Sequence, residues 1–82
     1  MMMATVTNFR CIDEDGFMVL CDAHGNNVAF RCQGCGGPVL AVMRENQRGS
    51  YPDNPAECPA CHSLYWGEVD GTNNRLVLHR TR

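Results

Sequence analysis

Cys32, Cys35, Cys58 and Cys61 stand in two CxxC pairs, CQGC and CPAC, with 22 residues between them. A CxxC pair presents two sulfurs from one tight turn, and two such turns facing each other supply the tetrahedral thiolate set that Zn2+ prefers. One Zn2+ per chain is the expected cofactor. A shell of four sulfurs leaves no coordination position for water or substrate, so such an ion holds the fold together and does not hydrolyse anything.

The two turns differ in one residue. A sulfur-binding turn needs a residue at positive φ after its second cysteine, and Gly36 meets that need in the first turn. The second turn has His62 there, a residue type enriched at positive φ among non-glycines. Pro59, with preset φ and no N–H, fits the position after Cys58. His62 also raises a rival ligand set in which it replaces Cys61, but that set leaves a cysteine idle beside the ion, so the four-cysteine set is preferred. A second, weaker constellation is the CxxH unit Cys21-Asp22-Ala23-His24, which with Cys11 and either His79 or His62 could form another site. Cys11 and Cys21 both lie in apolar runs, where cysteine commonly serves as a small buried hydrophobe, so one metal is expected rather than two.

Catalytic patterns are weak. Asp13, Glu14, Asp15 and Asp22 cluster at turns and read as solvated surface, not as a paired acid and base. No glycine-rich phosphate loop ending in lysine occurs, since all seven basic residues are arginine. A thioredoxin-like role would require a CxxC at a helix N-terminus in a βαβ setting, which this strand-rich chain lacks. The expectation is therefore a non-enzyme without a small-molecule substrate.

With 82 residues, the chain makes one domain, too small to be comfortably stable on its apolar core alone. The formal charge of −2 becomes −4 once four thiolates (−4) and Zn2+ (+2) are added. An acidic protein has no bulk attraction for phosphate, yet arginine suits bidentate phosphate or carboxylate recognition, and genome composition would give the same lysine-free result. The first residues, MMMATVTNFR, show no secretory signal, and no run is long enough to span a membrane. A cytoplasmic, reducing location follows as the expectation, in which paired CxxC spacing means metal in preference to a three-disulfide scaffold.

Short strands separated by turns must position these cysteines. Residues 3–11 and 17–21 flank a turn at Asp15-Gly16, and residues 17–21 and 28–32 flank a second turn over 22–27 containing Gly25 and Asn26. Residues 38–44 form the next apolar run. Residues 45–57, with Gly49, Pro52 and Pro55, read as a loop. Residues 63–69 and 75–79 make a final hairpin in which Leu76 and Leu78 share the expected core face, with Arg75, Val77 and His79 opposite.

These knuckles, CQGCG and CPAC among short strands, resemble the zinc ribbon group, a small rubredoxin-like four-cysteine β fold. The resemblance covers residues 32–80 and divides the single domain into a ribbon at 32–82 and an N-terminal strand or hairpin extension at 1–31. It implies Cys32, Cys35, Cys58 and Cys61 as zinc ligands and an interaction module, with nucleic acid or nucleic-acid machinery as one partner class and protein as the other. Rubredoxins, iron electron carriers with the same sulfur geometry, share Phe30 two residues before Cys32 and Pro59 after Cys58. They depart at His62, at Pro38-Val39 where an aromatic is expected, and in the N-terminal extension.

For a nucleic-acid partner the candidate contacts are Arg44 and Arg48 between the knuckles, Trp66, and Arg75, Arg80 and Arg82 near the C-terminus. Tyr65 and Trp66 alternate along a strand, so one of the two rings should face the core. For a protein partner, the acidic tip at residues 13–15 and the N-terminal hairpin offer surface and a strand edge.

Overall fold

The computed structural model describes residue 6, residues 9–44 and residues 47–81. Seven strands are present among the described residues: β1 Arg10–Asp13, β2 Cys21–His24, β3 Asn27–Arg31, β4 Pro38–Val42, β5 Ala56–Glu57, β6 Leu64–Asp70 and β7 Arg75–Arg80. They form a four-stranded sheet in the order β1-β7-β6-β5 and a three-stranded sheet in the order β2-β3-β4. The small, mainly-β class expected from the sequence is what the chain adopts, and no α-helix occurs among the described residues.

Alternation explains both sheets. Val28 and Phe30 on β3 and Val39 and Ala41 on β4 turn inward, while Asn27, Ala29, Arg31, Pro38 and Leu40 are exposed. On the other sheet Tyr65 and Gly67 of β6 and Leu76 and Leu78 of β7 face the same interior. The leucine face is the core face, as the sequence predicted. Val6, Cys11, Met43, Ala56 and two of the CxxC cysteines, Cys32 and Cys58, complete one apolar cluster between the sheets. Strands on either side of residue 31 share both sheets, since β1 pairs in parallel with β7 and β3 pairs antiparallel with β4.

Several boundaries differ from the sequence reading. The expected strand over 3–11 falls partly outside the described residues, and the observed β1 begins at Arg10 and continues to Asp13. Asp13 is then drawn into the turn: its Oδ1 accepts the Asp15 and Phe17 N–H groups, both at 2.9 Å. Residues 17–20 make only an isolated bridge, Ile12 with Met18, and β2 starts at Cys21. The second hairpin is consequently tighter than expected. Its two central residues are Gly25 and Asn26, and Gly25 takes φ 61°, as a two-residue turn requires.

Residues 45–57 were expected to be a loop, but they carry β5, which pairs Ala56 with Tyr65 and Glu57 with Leu64. Gly49 makes this return path fit. It sits at φ 99°, and a Cβ there would lie 2.6 Å from the Ala41 side chain, so only glycine lets the segment lie against β4. The Gly67 N–H donates to the Gly49 carbonyl at 2.7 Å and ties the segment to β6. This is how a polar, proline-bearing stretch brings Cys58 back beside Cys35.

Cys11 and Cys21 form a disulfide that links β1 of one sheet to β2 of the other. This corrects the view of the pair as isolated buried hydrophobes and removes both sulfurs from any second metal site. Its signal was present in the sequence: the two residues bracket the Asp15-Gly16 turn on opposite strands of one hairpin.

Candidate metal centre

The two knuckles have the same backbone plan. In the first, the Cys32 N–H donates to the Gly37 carbonyl at 2.7 Å and the Gly36 N–H donates back to the Cys32 carbonyl at 2.9 Å. In the second, Cys58 N–H to Ser63 O at 2.8 Å and His62 N–H to Cys58 O at 2.8 Å repeat that pattern. Gly36 takes φ 78° and His62 takes φ 67°, so the histidine occupies the left-handed position that the sequence assigned to it. The closed turns aim amides at sulfur: Gly34 N–H lies 3.3 Å from Cys32 Sγ and Gly37 N–H lies 3.4 Å from Cys35 Sγ.

All four sulfurs lie within 4.8 Å of one another, with Cys32 to Cys61 at 3.4 Å and Cys35 to Cys58 at 3.5 Å. A tetrahedral ion with metal–sulfur bonds of about 2.3 Å requires sulfur–sulfur edges of about 3.8 Å, which that range brackets. All four cysteines are free, and Cys32 and Cys58 are buried while Cys35 and Cys61 are exposed. The arrangement can hold a metal ion.

Electrostatics make the same point. The Tyr65 O–H donates to Cys32 Sγ at 3.3 Å, and this bond, against the opposing effect of burial, draws the Cys32 thiol down to about 5. Tyr65 itself is pushed up, first by burial and then by the Cys32 sulfur. The Gly37 N–H favours a Cys35 thiolate, but the sulfurs of Cys58 and Cys61 outweigh it and push Cys35 up to about 12. Four thiolates at this spacing repel one another, and a divalent cation is what lets all of them ionise.

A polar support surrounds the sulfurs. Ser63, the buried polar residue in this core, places its Oγ 3.2 Å from Cys61 Sγ and accepts a 3.1 Å bond from Arg80 Nη2. With its oxygen lone pair engaged by the guanidinium, the Ser63 hydroxyl proton is free to face sulfur, and Cys61 is accordingly lowered, chiefly by Ser63. Tyr65 also accepts the Gln33 N–H at 2.8 Å and stacks edge-on against Phe30 at 5.0 Å. The alternation of Tyr65 and Trp66 pointed one ring inward, but nothing in the spacing announced that its hydroxyl would reach a ligand sulfur. The contributions of Ser63 and Arg80 were likewise missed, because they join the site only through strand pairing.

Other candidates lie elsewhere. His62 turns its ring outward and pairs Nδ1 with Glu57, so it stands outside the four-sulfur group. His24 pairs with Asp22 at 3.3 Å on the surface, and His79 stacks on Trp66 at 4.4 Å with Glu68 and Glu14 at its two nitrogens. Among the described residues the four cysteines are the one group able to hold an ion. Arg44 and Trp66 line a common apolar pocket with Tyr51. Arg48 lines a separate depression with Pro38, Leu40 and Glu57. Arg75 pairs with Asp70 at 3.1 Å, roughly 17 Å along β7 from Arg80 at the strand rise. Arg82 lies outside the described residues.

Comparison with protein-family models, with characterised proteins and with solved structures gives no match for this chain.

Proposed function

We propose that the protein is a non-enzymatic β domain held by one structural Zn2+ on Cys32, Cys35, Cys58 and Cys61, and that it serves as an interaction module for nucleic acid or nucleic-acid machinery. The observation that carries the metal reading is the set of four free sulfurs within 4.8 Å on two backbone-matched knuckles. Zinc is preferred because an all-thiolate tetrahedral shell suits it and a closed shell does structural work. Iron in the same shell would instead make an electron carrier, and a coloured native protein would overturn the zinc assignment.

What supports the partner reading is the surface around Arg44. On one side, Tyr51 and Trp66 help wall an apolar pocket of about 260 Å³. On the other, Arg44 borders a polar cleft with His24, Asn26, Asn27 and Gln47, where Asn26 Oδ1 is buried without a hydrogen-bond partner among the described residues. A ring-lined pocket beside an exposed guanidinium suits an unstacked base with its phosphate on Arg44. Trp66 is the single tryptophan and reports on that pocket directly. Titrating zinc-loaded protein with a single-stranded oligonucleotide should quench its fluorescence, more weakly as salt rises and less in Arg44→Ala. Absence of quenching at low salt would eliminate direct nucleic-acid binding while leaving the zinc assignment standing.

A further inference from the structure

The turn between β1 and β2 displays apolar side chains that the metal site does not use. Phe17, Met18 and Leu20 are 70%, 72% and 89% exposed, and Leu40 on the outer face of β4 is 52% exposed. They are neither scattered nor loosely attached. Asp13 N–H donates to the Phe17 carbonyl and Val19 N–H to the Cys11 carbonyl, both at 2.9 Å, and the Cys11–Cys21 disulfide closes the base of the segment. Met18 and Leu20 border an open groove whose other walls include Ala29 and Pro38, and register sets Asp22, Ala29 and Leu40 side by side across three strands. A contiguous apolar surface held rigid in this way loses little conformational entropy on docking.

We propose that this face is the contact surface between two copies of the chain related by a two-fold axis. The argument for a second copy is charge. The groove is bounded by one acid, Asp22, and one base, Arg31. Neither meets the other within its own chain, since Asp22 faces His24 at 3.3 Å and Arg31 Nη1 donates to the Gly36 carbonyl at 3.1 Å. In an isologous contact, residue i meets residue j and j meets i. Such an axis through the groove sets Asp22 of each copy toward Arg31 of the other and closes Met18, Leu20 and Leu40 against their counterparts. A nucleic-acid strand fits this face poorly, because Asp22 repels phosphate and the apolar side chains gain nothing from it.

Sedimentation equilibrium of the full metal-loaded chain across a concentration series tests the assignment. A reversible dimer is expected. Leu20→Asp should weaken it at least about tenfold while metal content and circular dichroism stay those of the parent. Asp22→Arg and Arg31→Asp should each weaken it by about tenfold, and the combined exchange should restore it, because the pair is then merely reversed. A monomer at every concentration, a dimer indifferent to all three changes, or a double exchange as weak as the single ones would overturn the proposal. Should Leu20→Asp fail to fold, the charge exchange decides alone, since Asp22 and Arg31 are exposed.

Discussion

The four-sulfur site and the Cys11–Cys21 disulfide lie near each other, since Cys21 pairs with Phe30 two residues before Cys32, and they differ in what they close. The four-sulfur site joins the turn after β3 to the turn after β5, so it spans a long excursion of chain and anchors both sheets through the buried Cys32 and Cys58. The Cys11–Cys21 disulfide spans only ten residues of sequence and fastens the edge strand β1 to β2. A structural zinc contributes on the order of 10 kcal/mol or more, whereas a disulfide closing so short a loop contributes about 3 kcal/mol. A metal-loaded four-sulfur site therefore carries more of the stability than the disulfide, although Cys11 is itself part of the apolar core.

Breaking the stronger fastening should have the largest effect. Cys58→Ser removes a fully buried ligand, and because the metal contribution rivals the entire stability of an ordinary domain, this variant should lose bound metal and its cooperative thermal transition together. A calorimetric scan of parent and variant reads both states. Cys11→Ser with Cys21→Ser should instead leave metal content unchanged and lower unfolding stability by about 3 kcal/mol in denaturant titration. If the disulfide variant proved the more damaged of the two, the contrast between the two sites would be reversed.

The same contrast shows why the fold was partly legible. The knuckles were readable because CxxC fixes its partners within four residues, and Gly36 and His62 announced their positive φ through residue type. Leu76 and Leu78 were readable because strand alternation is strictly local. β5 depends on distant strand pairing, since Ala56–Glu57 becomes a strand only because β6 lies beside it, whereas the disulfide closes locally across the turn between Cys11 and Cys21 and was legible in their spacing. Tyr65 shows both cases at once, with its inward face given by alternation and its bond to Cys32 set by register.

Smaller changes act within the four-sulfur site. Tyr65 lowers Cys32, so in the metal-free fold the unfolded chain binds the extra proton and stability rises with pH above about 5, being lost as pH falls through that value. Metal retention follows the same sign, because ligands must be deprotonated. Tyr65→Phe, which removes the donated proton and keeps the ring, should shift the pH midpoint of metal release upward, measured with a chromophoric chelator. An unchanged midpoint would mean that the hydroxyl does not act on the sulfur. His62→Gly should have the least effect: it relieves a left-handed histidine and loses an exposed pair with Glu57, for a net gain of about 0.5 kcal/mol or less. A large loss of metal in that variant would make His62 a ligand.

The central claim is tested most directly by native mass spectrometry of protein purified without added metal, combined with elemental analysis. The account predicts one zinc per chain, released together with four titratable thiols by acid or chelator. A folded metal-free chain, an iron-containing chain, or two metals per chain would contradict it.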